Sequence, residues 1–259
     1  MGVFFHEDPD YFPNMRKKGF ARYKQVLERD WKQFFLVDLL ALASLIPYGL
    51  GVGYAVLSSS VLVLIGVSIV GGAIAGPGLA CMYDRILRSL RDDQADWWYS
   101  WKRALKQNLR ASILPGILMC TFIGFYIFAC AMVWWSNLPV TAGTVAIMAA
   151  SALAFLSIFS VWWPQIVLFD QKPGIQLKNC LLFSIKYFGK TLKSAAVQLA
   201  FWLVMVLFLP WSGFAVPFLG VWYVWFVGTF LIYEELDEAF SIEERVWEAF
   251  PEQIPVYEV

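Results

Sequence analysis

The chain has 259 residues, of which 59% are hydrophobic and only 15% are charged, whereas an ordinary soluble domain has roughly 25% charged residues. This composition excludes a soluble globular enzyme, and it also excludes a disordered chain, because so apolar a sequence does not stay solvated. The 20 basic residues balance the 20 acidic residues, so the information lies in where the charges fall along the chain.

Residues 1–33 form the first predicted domain, a cytoplasmic N-terminal amphipathic segment. Phe20, Tyr23, Leu27, Trp31 and Phe34 recur at intervals of three and four residues, and basic side chains occupy the other faces. This spacing predicts an amphipathic helix that lies at the inner headgroup surface of a membrane.

Residues 34–233 form the predicted membrane domain. A helix needs roughly 20 apolar residues to cross a hydrocarbon core of about 30 Å. Six stretches reach that length: residues 34–56, 61–83, 111–135, 140–163, 194–211 and 215–233. Pro210 and Pro217 interrupt the last two stretches, so a re-entrant pair is the alternative to two full spans there. The predicted fold class is therefore all-α: a polytopic membrane protein with six transmembrane helices and cytoplasmic amphipathic helices.

The basic residues indicate which side of the membrane each connection occupies. All 20 of them lie in four segments, residues 1–33, 84–110, 170–193 and 234–259. The three alternate connections, residues 57–60, 136–139 and 212–214, contain no basic residue. Because basic connections stay on the cytoplasmic side during insertion, we expect a multi-pass protein whose N- and C-termini are both cytoplasmic.

The two long inner connections, residues 84–110 and 170–193, are basic cytoplasmic loops. Each contains an apolar stripe at helical spacing, including Trp97 and Trp101 in the first loop and Leu181 in the second. The other faces form a predicted cytoplasmic basic surface: Lys102, Arg103, Lys106, Arg110, Lys186, Lys190 and Lys193. We expect this surface to bind membrane lipid, including anionic headgroups. The alternative is a docking surface for a cytoplasmic protein, and no nucleic acid is expected as a partner.

Residues 234–259 form the last predicted domain, an acidic cytoplasmic tail. It contains nine acidic residues and one basic residue, Arg245. Ser241 followed by Glu244 is typical of a capping box that starts a short helix. We expect the acidic tail to fold back onto the basic helices, since opposite charges attract.

Three polar residues are candidates for a transport site or another polar site within the membrane: Asp38, Gln165 and Gln198. A charge within a span is costly, so Asp38 marks either a functional site or a structural ion pair. Lys32 or Arg29 is close enough in sequence to reach Asp38 from the interface. The two glutamines are expected to form hydrogen bonds between helices.

Prolines and glycines punctuate the spans. Pro47, Pro77, Pro115 and Pro164 are predicted helix breaks, and such breaks line cavities in some transporters. Gly72 and Gly76 form a small-xxx-small pattern that favours close helix packing. The chain has a single histidine and no nucleotide-binding or metalloprotease motif, so the sequence predicts no catalytic residues, no metal site and no cofactor.

Two segments carry a resemblance to a known family. Residues 75–80, Ala-Gly-Pro-Gly-Leu-Ala, followed by Arg85, Arg88 and Arg91 and the tryptophan-rich helix up to Arg110, resemble the YesL family of bacterial membrane proteins. Residues 169–183 are similar to the second cytoplasmic segment of that family, whose activity is not established. Asp38 departs from the family pattern, which usually has Asn at the corresponding place.

The resemblance implies a bacterial plasma-membrane protein associated with carbohydrate transport. It implies an accessory role in carbohydrate uptake, with subunits of an ABC sugar importer as partners and contacts made through helices and the cytoplasmic surface. The alternative function is a small transporter or channel that uses Asp38 and the proline-broken helices. Formation of a homo-oligomer is compatible with both functions.

Overall fold

The computed structural model describes residues 16–93, 95–136 and 139–249, and this part of the chain is helical with no strand, as the all-α prediction requires. The helices are α1 (Gly19–Leu57), α2 (Val61–Leu90), α3 (Trp97–Asn108), α4 (Ile113–Trp135), α5 (Ala142–Leu168), α6 (Pro173–Lys186), α7 (Phe188–Leu207), α8 (Ser212–Leu219), α9 (Trp222–Phe230), α10 (Tyr233–Phe240) and α11 (Ile242–Ala249).

Five of these helices, α1, α2, α4, α5 and α7, are long and apolar enough to cross a membrane. Helices α8 and α9 pass the same test only as a pair, and they are bent by 61° relative to each other. The described residues therefore contain five such helices, or six if the bent pair forms one span. The re-entrant alternative now concerns only α8 and α9, because α7 is long enough by itself.

Helix α1 has 39 residues, which gives it a length of about 58 Å. It includes both the predicted amphipathic segment and the first predicted span, so the expected boundary at residue 33 falls inside one continuous helix. The buried face of its first half includes Arg22, Val26 and Asp30, whereas Phe20 and Trp31 are exposed. This half therefore turns charged side chains towards the protein.

Helix α2 lies at the centre of the bundle, in contact with α1, α3, α4, α5 and α9. Every residue from position 75 to position 93 is buried. Alanine and glycine alternate with larger residues at the start of this stretch, and small side chains allow neighbouring helices to approach closely. The buried stretch continues past the apolar part of α2 into its charged last turns.

The close approach of α2 and α4 depends on three glycines, Gly72, Gly76 and Gly116. A Cβ atom on Gly76 would overlap the backbone oxygen of Ser112, and one on Gly116 would overlap backbone atoms of Gly72 and Gly76. The predicted role of the Gly72 and Gly76 pattern in helix packing is thus confirmed. Gly49 and Gly53 on α1 differ, because an added Cβ atom would meet nothing within 4 Å.

We expect Gly76→Ala to destabilise the protein by about 1–3 kcal/mol, because overpacking at a backbone contact forces α2 and α4 apart. Gly49→Ala is the matched control, since it adds the same methyl group in open space and favours the helix by about 1 kcal/mol. Thermal unfolding of the two variants in one detergent measures the difference. Equal midpoints for both variants would contradict the role assigned to Gly76.

The predicted helix breaks at the prolines do not occur. Helices α1, α2 and α5 continue through Pro47, Pro77 and Pro164. Pro115 is the third residue of α4, a position in the first turn where the missing N–H costs no hydrogen bond within the helix. An interior proline removes one hydrogen bond, and packing against neighbouring helices is enough to keep a membrane helix continuous.

Helices α3 and α6 each bury only three residues and expose several apolar ones. The buried residues of α3 are Ser100, Ala104 and Asn108, while Trp98 and Tyr99 are exposed. Helix α6 buries Gln176, Cys180 and Phe183, and it exposes the predicted apolar stripe that includes Leu177, Leu181 and Ile185. The apolar faces of both helices are therefore available for contact with lipid or with another protein.

The described part of the acidic tail consists of α10 and α11, and α10 packs against α6 and α7. Glu235 forms an ion pair with Lys190 at 2.7 Å, and the Phe240 ring lies 6.0 Å from the Phe183 ring. The predicted return of the tail onto the basic helices is thus confirmed. The predicted capping box is not formed, because Asp237 rather than Ser241 accepts the hydrogen bond from the Glu243 backbone N–H. Ser241 has a left-handed backbone, unlike an N-cap residue.

Candidate functional site

Asp38 is fully buried and connects α1 to the break between α8 and α9. Its Oδ1 atom accepts hydrogen bonds from the backbone N–H groups of Val221 at 3.1 Å and of Trp222, the first residue of α9, at 3.0 Å. The carboxylate thus caps the N-terminus of α9, where the helix dipole favours negative charge. The expected ion pair with Lys32 or Arg29 is not the structural role of Asp38, because Arg29 binds Asp30 at 2.8 Å and Asp92 instead.

The break between α8 and α9 lies at Gly220. This residue has a φ of 36°, and a Cβ atom there would overlap Oδ2 of Asp38. Glycine is required because it has no side chain and accepts positive φ without strain. Oδ2 has no hydrogen-bond partner among the described residues. The helices are not interrupted at Pro210 and Pro217, where the sequence predicted interruptions. Helix α7 already ends at Leu207, and Pro217 lies inside α8.

Gln165 and Gln198 form the expected hydrogen bonds between helices. Gln165 donates to Sγ of Cys180 on α6 at 3.1 Å, and Gln198 donates to Oγ of Ser160 on α5 at 2.7 Å. Ser194 on α7 donates to the backbone oxygen of Gly228 on α9 at 2.8 Å. These side chains therefore hold α5, α6, α7 and α9 together.

A second polar centre lies where α1 begins and α2 ends, and we call it the charged cluster. It consists of Arg16, Arg22, Arg29, Asp30, Asp84, Arg85, Arg88, Arg91, Asp92, Asp93 and Glu243. Most of these side chains are buried. Buried charges are stable only when they are paired and hydrogen-bonded, so the pairing within the cluster decides its energetics.

Asp92 is the central carboxylate of the cluster. It forms ion pairs with Arg22 at 2.8 Å and with Arg29, and the Nε atom of Arg16 lies 3.9 Å away. Arg22 also donates to the backbone oxygen of Leu90, which is one of the last carbonyl groups of α2. Asp92 therefore joins the first half of α1 to the end of α2.

Two further arginines are paired within the cluster. Arg88 binds Asp84, one turn earlier on α2, at 2.7 Å, and it also binds Asp93. Arg85 lies 3.6 Å from Asp30 of α1. The Arg85 contact links the same two helices as Asp92, whereas Arg88 pairs with carboxylates in and directly after α2. The cluster therefore joins α1 and α2 through Arg22, Arg29 and Arg85.

Glu243 brings the acidic tail into the cluster. Arg16 donates to its two carboxylate oxygens at 2.6 and 2.8 Å, and the Tyr233 hydroxyl donates to Oε1 at 2.9 Å. Burial, together with the nearby Glu243 carboxylate, raises the pKa of Tyr233 well above its ordinary value. The hydroxyl therefore keeps its proton at neutral pH and acts as a hydrogen-bond donor.

Arg91 differs from the other arginines of the cluster. It is 4% exposed, and neither Nε nor Nη1 has a hydrogen-bond partner among the described residues. Burial lowers the pKa of its guanidinium, although arginine stays protonated in proteins. Arg91 is thus a buried cation whose hydrogen-bonding capacity is not satisfied by the described part of the chain.

The predicted basic surface is exposed but does not form part of the charged cluster. Lys102, Lys106 and Arg110 on or after α3 are exposed, and Arg103 is half-buried. Lys186, Lys190 and Lys193 are also exposed, and the first two face Glu238 and Glu235 of the tail. Pairing with the tail leaves the α3 lysines as the more accessible part of this surface.

The charged cluster was not predicted from the sequence, because its residues were interpreted only as indicators of membrane topology and of the family resemblance. One signal was present: Arg85, Arg88 and Asp92 recur at three and four residues directly after an apolar span. That spacing places them on one face of a helix. A charged face next to a span predicts a partner of opposite charge on the neighbouring helix.

The described residues form an all-helical protein with five or six helices that are long and apolar enough to span a membrane, and with a buried ionic cluster where α1 begins and α2 ends. No protein-family model matches the chain, and no curated protein or solved structure matches it either. The resemblance to the YesL family therefore stays a prediction.

Proposed function

We propose that this chain is a multi-pass protein of the bacterial plasma membrane that acts as an accessory component of carbohydrate uptake. Both termini lie in the cytoplasm, because the basic residues occur only in the N-terminal segment, the two long connections and the tail. The carbohydrate assignment rests on the sequence resemblance to the YesL family. The accessory role rests on the geometry of the polar side chains.

The main observation in favour of an accessory role is that the polar side chains within the spans contact the bundle itself. Asp38 caps α9, and Gln165 and Gln198 bind neighbouring helices. A transport pathway needs polar groups that face a passage and remain available to the solute. The groups that remain available lie instead on α3 and α6, which expose basic and apolar side chains together.

These exposed faces fit a role at the membrane surface. The apolar residues of α3 and α6 contact the lipid interface, while each nearby lysine or arginine gains about 1 kcal/mol from anionic headgroups. The same surface, on the cytoplasmic side, is placed to meet the inner ends of importer subunits. Membrane lipid and importer subunits are therefore the proposed partners.

We expect Lys102→Glu, Lys106→Glu and Arg110→Glu, combined in one variant, to reduce co-purification with sugar-importer permease subunits at least about tenfold, since reversed charges repel an acidic partner surface. In the matched control, Lys102 and Lys106 are replaced by arginine and Arg110 is replaced by lysine, which keeps the charge. Mild-detergent purification of the tagged full chain provides the measurement. If the wild type is isolated alone as a stable homo-oligomer, the accessory role is wrong.

One observation favours the second candidate function, a small transporter or channel. Helices α8 and α9 form a broken pair, and Oδ2 of Asp38 lies at the break without a hydrogen-bond partner among the described residues. Broken helices hold substrate and ion sites in several transporters. The prolines do not support this function, because the helices continue through them. The substitution Asp38→Asn separates the two functions.

A further inference from the structure

Among the residues that the structure describes, one arginine of the charged cluster has no ionic partner. Five of its arginines, Arg16, Arg22, Arg29, Arg85 and Arg88, lie within 4 Å of a carboxylate. Arg91 has no such carboxylate among the described residues. The carboxylates whose charges act on Arg91 are Asp84 and Asp93. Both of them are bound by Arg88.

The charges of the cluster show the same excess. Its six arginines face five carboxylates, those of Asp30, Asp84, Asp92, Asp93 and Glu243. Tyr233 lies close to Arg91 but stays protonated, so it supplies no negative charge. A buried cation without a counter-charge is costly, and a buried N–H group without an acceptor adds to that cost. Within the described part of the chain, the cluster therefore lacks one negative charge.

We propose that Arg91 binds a phosphate group, which supplies the missing charge and accepts hydrogen bonds from Nε and Nη1. Phosphate oxygens are the strongest charge-assisted acceptors for a guanidinium, and arginine is preferred over lysine where they are recognised. This site is independent of the proposed importer partner.

The position of Arg91 allows two sources of phosphate. The apolar part of α2 ends at Tyr83, and a rise of 1.5 Å per residue puts the Cα atom of Arg91 about 12 Å further along the axis. Helix side chains tilt towards the N-terminus of their helix, so the guanidinium reaches back towards the headgroup layer. A phospholipid headgroup and free inorganic phosphate share the required chemistry.

The test uses the full chain, stripped of lipid in a neutral detergent and kept in chloride buffer. One arm adds inorganic phosphate, with chloride at matched ionic strength as its reference. The other adds phosphatidylglycerol, with a glycosyl diacylglycerol that lacks phosphate as its reference. We expect at least one phosphate source to stabilise the wild type, by about 100-fold in the folding equilibrium at a concentration 100 times its Kd.

Arg91→Gln and Arg91→Lys remove the guanidinium, and Arg245→Gln removes an exposed arginine outside the basic surface as the matched control. We expect Arg91→Gln to unfold no more easily than the wild type without phosphate, because it removes an uncompensated buried charge, and to lose the gain when phosphate is added. Arg91→Lys keeps the charge but loses most of the gain, and Arg245→Gln keeps all of it.

Three results would overturn the proposal. The first is a wild type that gains nothing from either phosphate source beyond its reference. The second is a gain that Arg91→Gln retains. The third is an Arg91→Gln variant that unfolds more easily than the wild type in chloride buffer, which would show that Arg91 has its counter-charge within the chain.

Discussion

Asp92→Asn is expected to destabilise the protein by about 3–5 kcal/mol, because it leaves Arg22 as a buried cation without its carboxylate. It also removes one of the two carboxylates that pair with Arg29. The substitution removes the negative charge without changing the backbone conformation. Asp92 has a φ of 65°, and asparagine adopts this left-handed conformation as readily as aspartate. The unfolding midpoint on heating in detergent, followed by tryptophan fluorescence, measures the effect. The variant should have a lower midpoint than the wild type.

Asp96→Asn is the matched control for that experiment. Asp96 is exposed and its Oδ1 atom caps α3 by accepting hydrogen bonds from the backbone of Trp98 and Tyr99. Asparagine caps helices about as well as aspartate, so this variant should unfold like the wild type. Equal unfolding midpoints for the Asp92 and Asp96 variants would show that the charged cluster contributes nothing to stability.

The membrane helices could be predicted from sequence because lipid imposes a simple requirement. A span must satisfy its backbone hydrogen bonds within itself, so its length and apolar composition are visible in one dimension. Helices α2, α4 and α5 begin within two residues of the predicted spans. The bend at Gly220 was not predictable in the same way, because it depends on Asp38, which lies far away along the chain.

The charged cluster could not be predicted because its pairs join residues far apart in sequence. Arg22 and Asp92, for example, are 70 positions apart. Sequence reasoning places arginine on the solvent face of an amphipathic helix and aromatic residues on the buried face. In α1 the two faces are not separated in this way, because Arg22 is buried whereas Phe20 is 80% exposed. Next to a membrane an exposed apolar face can meet lipid, so amphipathic spacing does not tell which face packs against protein.

The candidate polar residues within the spans are buried, and their contacts were only partly predictable. The glutamines form the hydrogen bonds between helices that their burial requires. Asp38 was expected to mark either a functional site or an ion pair with a basic partner, because a buried charge needs a partner. Two backbone N–H groups at the start of α9 serve instead, and no local pattern near Asp38 indicates them.

Asp38→Ala is expected to destabilise the protein by about 2–6 kcal/mol, because the N–H groups of Val221 and Trp222 lose their acceptor inside the bundle and each costs about 1–3 kcal/mol. Gly220→Ala should produce a comparable loss, since its Cβ atom would displace the same carboxylate from α9. Unfolding midpoints and the yield of monodisperse protein in detergent measure both effects.

Asp38→Asn separates capping from charge at the same position. The amide oxygen accepts the two hydrogen bonds from α9 just as the carboxylate does, so the variant should keep most of the stability that Asp38→Ala loses. If Asp38 only caps α9, importer association is unchanged in Asp38→Asn. If the protein is instead a small transporter that needs a negative charge at the break, the Asp38→Asn variant should fold normally but lose its transport activity, because only the charge has been removed. Equal losses of stability in the Asn and Ala variants would show that the charge itself, rather than the cap, holds α1 against α9.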